Sequence, residues 1–341
     1  MADSGSPATI LELARGFMGS KVLLAAAKLH LFDELRDGPL TGEQIRARLG
    51  LHSRAVPDFV DALVSLGMLA REGDGPQARY ANTPETARFL VRDSEAYVGG
   101  LLEMFNDRLF RYWSDLEDGL RTGQPQNELK DGGTSMFAEL YRDPARLEQF
   151  LAAMSGISRS NFIALAERFD FTRYRTLCDV GGAAGDLSCA VAARHPGLRC
   201  LSFDLPVVQP IAQAAIARRG LTERVTTIAG DFFGDPLPRA DVVTMGMILH
   251  DWNLEKKKIL IRAAFEALPD GGAFIAVENL IDDARREQQF GLLMSLNMLI
   301  EFGDAFDFTF ADFRGWCAEA GFRRFEVLPL GGPASAAVAY K

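Results

Sequence analysis

The sequence predicts an α/β protein, with a parallel Rossmann-like sheet in its second half behind a mainly helical N-terminal part. Three observations carry this. Residues 176–180 form a short apolar run that breaks into Gly181-Gly182-Ala183-Ala184-Gly185, the pattern of a buried strand turning tightly into a helix. From there to the C-terminus, short apolar runs alternate with helical stretches, as in a sheet built by crossover helices. Before residue 100, dense apolar positions at helical spacing dominate.

The glycine-rich turn suggests a small-molecule cofactor, but such turns serve nicotinamide, flavin and nucleotide sites alike, so the residues that follow decide. A strand over 200–203 ends in Asp204, nineteen residues after Gly185, where a carboxylate can accept both hydroxyls of a ribose. The strand over 225–228 runs into Gly230-Asp231-Phe232-Phe233, a second carboxylate with aromatic rings beside it. Two carboxylates and no phosphate-binding basic residue suit a ribose and an adenine without phosphates. S-adenosylmethionine fits that description, and its cationic sulfonium tolerates the acidic cleft that Asp179 begins. A Walker-type loop would need Gly-Lys-Ser/Thr where the chain has Gly185-Asp186-Leu187, and the nicotinamide pattern Gly-x-Gly-x-x-Gly is not matched.

With 341 residues the chain is long enough for about two domains and a sizeable core. Its 48% hydrophobic and 24% charged residues are ordinary for a soluble globular protein. A net charge of −9 counts against nucleic acid as a partner, because phosphate binding needs a basic face. The four cysteines (Cys178, Cys189, Cys200, Cys317) lie in apolar runs without Cys-x-x-Cys spacing, so buried free thiols are expected rather than disulfides, and no metal site. The N-terminus lacks a basic stretch followed by an apolar one, and the longest uncharged run, 327–340, is short of the about 18 residues of a membrane span. No membrane segment and a cytoplasmic location are expected.

Residues 1–100 read as one domain. The stretch 10–35 carries more apolar positions than one helical stripe needs, which predicts burial against a second subunit. Thr41 and Gln44 have capping-box spacing for a helix through Leu49, and Ser53 is expected to cap another through Leu66, ended by Gly67. Residues 68–71 and 79–81, around Glu72-Gly-Asp-Gly-Pro, read as a two-stranded wing. Helix, helix and wing make a winged-helix pattern, which raises a DNA-binding regulator as an alternative. The would-be recognition helix offers Arg54 against Asp58 and Asp61, a charge balance that repels phosphates, so a dimerisation domain is the better reading.

Residues 101–175 read as connecting helices, with a loop over 122–133 and helices over 135–141 and 144–169. Phe150 and Met154 share a helix face by their i, i+4 spacing, a pair that serves a core or a ligand wall. In the segment 176–341, the strand within 240–250 ends in His250-Asp251-Trp252, a helix follows over 254–268, and the next strand ends in Glu278. His250 and Glu278 thus fall at strand C-terminal ends, where parallel sheets present their chemistry. The chain closes with strands over 325–328 and 336–340, joined closely enough for an antiparallel hairpin.

These motifs resemble the winged-helix-containing, S-adenosylmethionine-dependent O-methyltransferases: plant caffeic acid and flavonoid enzymes, acetylserotonin methyltransferase and many bacterial secondary-metabolite enzymes. The similarity runs nearly the full length, and its most specific part is Leu249-His250-Asp251-Trp252 with Ala267-Leu268-Pro269-x-Gly271-Gly272 and Glu278. It implies a class I methyltransferase domain behind a winged-helix dimerisation domain, a homodimer, and an aromatic small-molecule acceptor. It also implies that Asp179, Gly181 and Gly182 begin the cofactor loop, that Asp204 with Leu205 takes the ribose, and that Asp231 with Phe232 holds the adenine. His250 would be the general base, flanked by Glu278 and Asp307, and Phe150, Met154, Asp251 and Met298 would line the acceptor pocket. The chain departs from the pattern at Ala183, where the family commonly has a third glycine, at Gly246, where plant enzymes carry a lysine, and at Ile157, where a pocket histidine is often found. Asp307 stands where glutamate is usual.

Methyl transfer from a sulfonium is an in-line displacement, in which the protein aligns the acceptor oxygen and removes its proton. An imidazole titrating at about 6.5 can take the proton of a phenol of pKa about 10 as attack proceeds. Glu278 is the first choice to hold the other ring nitrogen. Transfer to carbon or nitrogen, or a relative that binds the cofactor without methyl transfer, is the alternative within the same fold.

Overall fold

The computed structural model describes residues 6–94, 96–134 and 140–341. It divides into two compact units, Met1–Arg111 and Tyr112–Lys341.

In the first unit the long helix is Ala8–Lys28; the chain then turns at His30, whose φ is 58°, into one further turn, Leu31–Glu34. The Thr41 capping box forms as expected: the Thr41 side chain accepts the Gln44 amide, the Gln44 side chain accepts the Thr41 amide, and helix Gly42–Leu49 follows. Ser53 does not cap the next helix. Val56–Ser65 starts after Ala55, because Pro57 is tolerated only in a first turn and pins the start there, leaving Ser53 in the preceding turn. Strands β1 (Leu40–Thr41), β2 (Leu69–Glu72) and β3 (Arg79–Asn82) pair antiparallel in the order β1-β3-β2, which is the wing. Phe32, Ile45, Val60, Leu63 and Leu69 form the core beneath it. Along Ala8–Lys28, by contrast, Ile10, Leu11, Leu13, Phe17 and Met18 stay exposed, Leu13 by 77%. A contiguous apolar stripe of that kind marks an interaction surface.

The second unit holds a seven-stranded sheet: β4 (Thr176–Val180), β5 (Arg199–Asp204), β6 (Val225–Ala229), β7 (Val242–Gly246), β8 (Ala273–Glu278), β9 (Arg324–Gly331) and β10 (Ala334–Tyr340). Their order is β6-β5-β4-β7-β8-β10-β9, parallel from β6 to β8, with β10 antiparallel to both neighbours. This is a Rossmann-like sheet, and all six residues of β8 are buried, as a central strand requires. The chain runs outward from β4 to β6, then returns to place β7 beside β4, so the loops after β4 and β7 meet at the switch point where such sheets bind ligands. Helix Pro144–Arg168 forms as expected, whereas residues 135–139 of the other expected helix lie outside the described residues. All four cysteines are buried and free. Among the described residues no helix is long and apolar enough to cross a membrane.

Candidate functional site

The loop after β4 is shaped by close approach. Gly181 has φ 70°, and a Cβ there would stand 2.3 Å from Ile248 Cδ1; a Cβ on Gly182 would stand 2.3 Å from Ser202 Oγ. Neither position accepts a side chain. Ala183 takes a left-handed φ of 49°, a conformation that costs an L-residue about 1–2 kcal/mol. Its amide donates to Asp204 Oδ2 at 2.8 Å, while the Leu205 amide donates to Oδ1 at 2.7 Å. Asp204 is therefore clamped at the end of β5 by two backbone groups, with lone pairs left for a ligand. Burial pushes its carboxyl above the usual range.

Asp179, the fourth residue of β4, accepts the Thr244 hydroxyl at 2.8 Å, and burial pushes its carboxyl up to about 7. Asp231 is exposed after β6, where it accepts the Phe233 amide at 2.9 Å. Phe232 and Phe233 stand edge-on to Trp252, with ring centroids 6.0 and 4.7 Å away. Gly246 leaves no room for a long side chain, since a Cβ there would meet the Phe162 ring at 3.2 Å.

The donor set fits S-adenosylmethionine. Asp204 offers a ribose two clamped carboxylate oxygens, Asp231 and Phe232 offer an adenine an acceptor and a ring, and the buried Asp179 suits a cationic methionine moiety. Ser188 and Ser202 add buried hydroxyls with no hydrogen-bond partner. Arg219, at the end of the next helix, is already paired with Asp186.

Beyond β7, Met247 takes φ 56°, and a single 3-10 turn, Leu249–Asp251, presents His250. His250 is 6% exposed. Its Nε2 lies 3.3 Å from Asp251 Oδ1 and its Nδ1 3.5 Å from Asp307 Oδ1. Glu278, the sequence's first choice to hold the other ring nitrogen, is bonded elsewhere. Its Oε1 accepts the amides of Leu249 at 2.9 Å and His250 at 3.4 Å, since those free turn amides lie within reach of the end of β8. Asp307, buried, with its backbone amide donating to Ser295 Oγ at 3.2 Å, is the carboxylate nearest Nδ1.

The cluster is strongly acidic. Burial alone would lower the imidazole, but Asp251, Glu278 and Asp307 outweigh it and push His250 up to about 10, not the 6.5 of a free side chain. Burial likewise pushes Asp251 up to about 6 and Glu278 up to about 7, each raised further by its acidic neighbours. Donor atoms of His250, Glu278 and Asp307 lie within 4.8 Å of one another, close enough for a cation. The positive charge there already comes from the imidazolium and from Lys257, a buried ammonium that Glu278, Asp307 and Asp251 stabilise.

Phe150 packs with Ala183 and Leu205 on the small cluster of Leu140, Leu147, Leu151 and Val208, against the cofactor loop. Met154, one turn on, is half-buried. Met298 is buried on helix Gln289–Phe302, which packs against the His250 turn. Two residues escaped the sequence reading. Tyr141 is pushed up to about 12 by burial, with a smaller push from the charges of Asp204 and Asp251. Lys257 was legible: Leu260, Ile261 and Ala264, three, four and seven residues on, are the buried face of its helix.

Fold and site together define an S-adenosylmethionine-dependent methyltransferase. The O-methyltransferase domain family matches residues 113–323, and the O-methyltransferase dimerisation domain matches residues 11–92. Among relatives, the tetracenomycin polyketide synthesis 8-O-methyl transferase TcmO of Streptomyces glaucescens is 38% identical, over 98% of this chain and 97% of that protein. The N,N-dimethyltransferase OxyT of Streptomyces rimosus is 36% identical, over 92% and 90%. The crystal structure of human N-acetylserotonin methyltransferase in complex with S-adenosylmethionine superposes with a TM-score of 0.90 at 30% identity, covering 100% of this chain and 99% of that one. The chain belongs to the S-adenosylmethionine-dependent O-methyltransferase family with an N-terminal dimerisation domain.

Proposed function

We propose that this protein methylates a phenolic hydroxyl of an aromatic small molecule, with His250 as general base. The observation that carries the reading is the buried imidazole at the switch point, with Asp307 on Nδ1 and Asp251 on Nε2. When bound, S-adenosylmethionine supplies an electrophilic methyl group on a cationic sulfur. Asp204 and Leu205 bind its ribose, Asp231 and Phe232 its adenine, and Asp179, Gly181 and Gly182 shape the loop beside its methionine part.

The deeply buried Asp307 carboxylate, 3.5 Å from Nδ1, favours a charge on the ring from that side, and Nε2, beside the more exposed Asp251, is the nitrogen that takes the acceptor's proton. An imidazole raised to about 10 matches a phenol of pKa about 10, so the proton moves between partners of similar affinity. Glu278 holds the turn that carries His250. Phe150, Met154 and Met298 supply apolar walls, which favour an aromatic acceptor. Relatives named for a polyketide O-methylation and for N-acetylserotonin support that acceptor class.

The exposed stripe on Ala8–Lys28 and the dimerisation-domain match support a homodimer through that helix. The test of the chemistry is mass spectrometry of products formed with labelled methyl donor and a panel of phenols and aromatic amines. Label on phenolic oxygen supports the reading; label on nitrogen alone, the chemistry in the name of OxyT, overturns it.

A further inference from the structure

Lys257 lies in the first turns of helix Leu254–Ala267, in a run of three lysines. Lys256 is exposed and Lys258 pairs with Glu319 at 2.6 Å, whereas Lys257 is 0% exposed. Its Nζ donates to the carbonyl of Trp252, the residue that follows His250 and Asp251. The same Nζ lies 3.7 Å from the ring centroid of Phe306 and 5.8 Å from that of Phe308, the two residues on either side of Asp307. One ammonium thus touches both segments that meet at the imidazole. Burying an ammonium is unfavourable unless anions surround it.

We propose that Lys257 is a positioning residue for methyl transfer: its ammonium ties the turn carrying His250 to the segment carrying Asp307, and its charge favours the unprotonated imidazole that receives the acceptor's proton.

This rests on the reading of His250 as base. The carboxylates of Asp251, Glu278 and Asp307 all draw a proton onto His250. Left alone, they would keep the base occupied at neutral pH. A second cation among them competes for the same negative charge and makes the proton easier to remove. The groups acting on the ammonium are Glu278, Asp307, Asp251 and Asp304. Glu301 adds to the field at Asp251, while Lys256 lies over the outer rings, 4.6 Å from that of Trp252. Burial lowers Lys257 to about 8, so the ammonium is charged at neutral pH and loses its charge just above it.

The test is a set of pH–rate profiles for wild type, Lys257→Met and His250→Ala with one accepted phenol, alongside calorimetric S-adenosylmethionine affinity. Lys257→Met is expected to bind the cofactor as wild type does and to turn over about tenfold more slowly near pH 7, equivalent to about one pH unit on the acid limb. The gap should then close above pH about 8, where the wild-type ammonium has itself lost its proton, and below the phenol's own pKa of about 10. A deficit of constant size across that range means that Lys257 only packs, and overturns the proposal, as does an unchanged rate near neutrality. Full activity in His250→Ala would instead remove the base reading beneath it. A dead His250→Ala with a constant Lys257→Met deficit leaves the base standing and removes Lys257 alone. If Lys257→Met does not fold, Lys257→Gln keeps a donor for the Trp252 carbonyl without the charge and must give the same closing gap.

Discussion

At the cofactor end, Asp204 is held by the amides of Ala183 and Leu205 and Asp231 by that of Phe233, whereas around His250 both oxygens of Asp307 and Oε2 of Glu278 have no hydrogen-bond partner. The two ends stand on neighbouring strand ends of one sheet, yet they treat charge differently. Backbone amides are placed by the turn itself, so Asp204 and Asp231 are set before any ligand arrives. At the other end only Glu278 is held by backbone amides, those of Leu249 and His250, while Asp251 and Asp307 face the imidazole, an arrangement that costs stability and raises the ring's proton affinity. On the proposed assignment, binding rests on local backbone geometry, and proton transfer on groups brought together over long sequence distances.

That contrast is sharpened first by Asp307→Asn. Removing the anion 3.5 Å from Nδ1 should lower the plateau rate on the order of 10²- to 10³-fold, because the imidazolium formed in the transfer loses a stabilising charge. The acid limb should also move to lower pH, since one of the charges that raise His250 is gone. A limb that stays in place would mean that Asp307 does not set the proton affinity of the ring. At the other end, Asp204→Ala should weaken S-adenosylmethionine binding roughly 10- to 150-fold, the effect of losing a charged acceptor, with little change in turnover at saturation. Calorimetry that finds unaltered affinity removes the ribose assignment.

The smallest effect falls on the loop between them. Ala183→Gly relieves a left-handed φ of 49° at the expense of a more flexible unfolded chain, so unfolding free energy should rise by about 0.5–1 kcal/mol in a denaturant titration. Destabilisation would show that the Ala183 methyl, which packs with Phe150 and Leu205, matters more than the strain.

The same contrast explains what the sequence revealed. Thr176–Val180, the glycines after it and Asp204 were legible because strand, turn and carboxylate are close in the chain and each residue type has a local reason to be there. Ser53 was misjudged because capping preference ignores the proline that fixes the helix start. Both flanking carboxylates were legible, but not which of them meets the ring: Glu278 and Asp307 are 28 and 57 residues away, and only the folded turn shows that Glu278 serves two amides while Asp307 stands beside Nδ1. Nor does an isolated imidazole's pKa of about 6.5 survive three neighbouring carboxylates.

The most direct measurement of the central claim is the pH dependence of kcat/KM for wild type and His250→Ala with one accepted phenol. Wild type should rise with pH and level off above neutrality, at the pH where the carboxylate-raised imidazole gives up its proton, lowered to the extent that the cationic cofactor adds positive charge nearby. His250→Ala should fall about 10²- to 10⁴-fold near neutrality while keeping its S-adenosylmethionine affinity. It should then recover as the pH approaches the phenol's own pKa of about 10. A variant with full activity near neutrality, or one that keeps the wild-type limb, would contradict the assignment of His250 as the base.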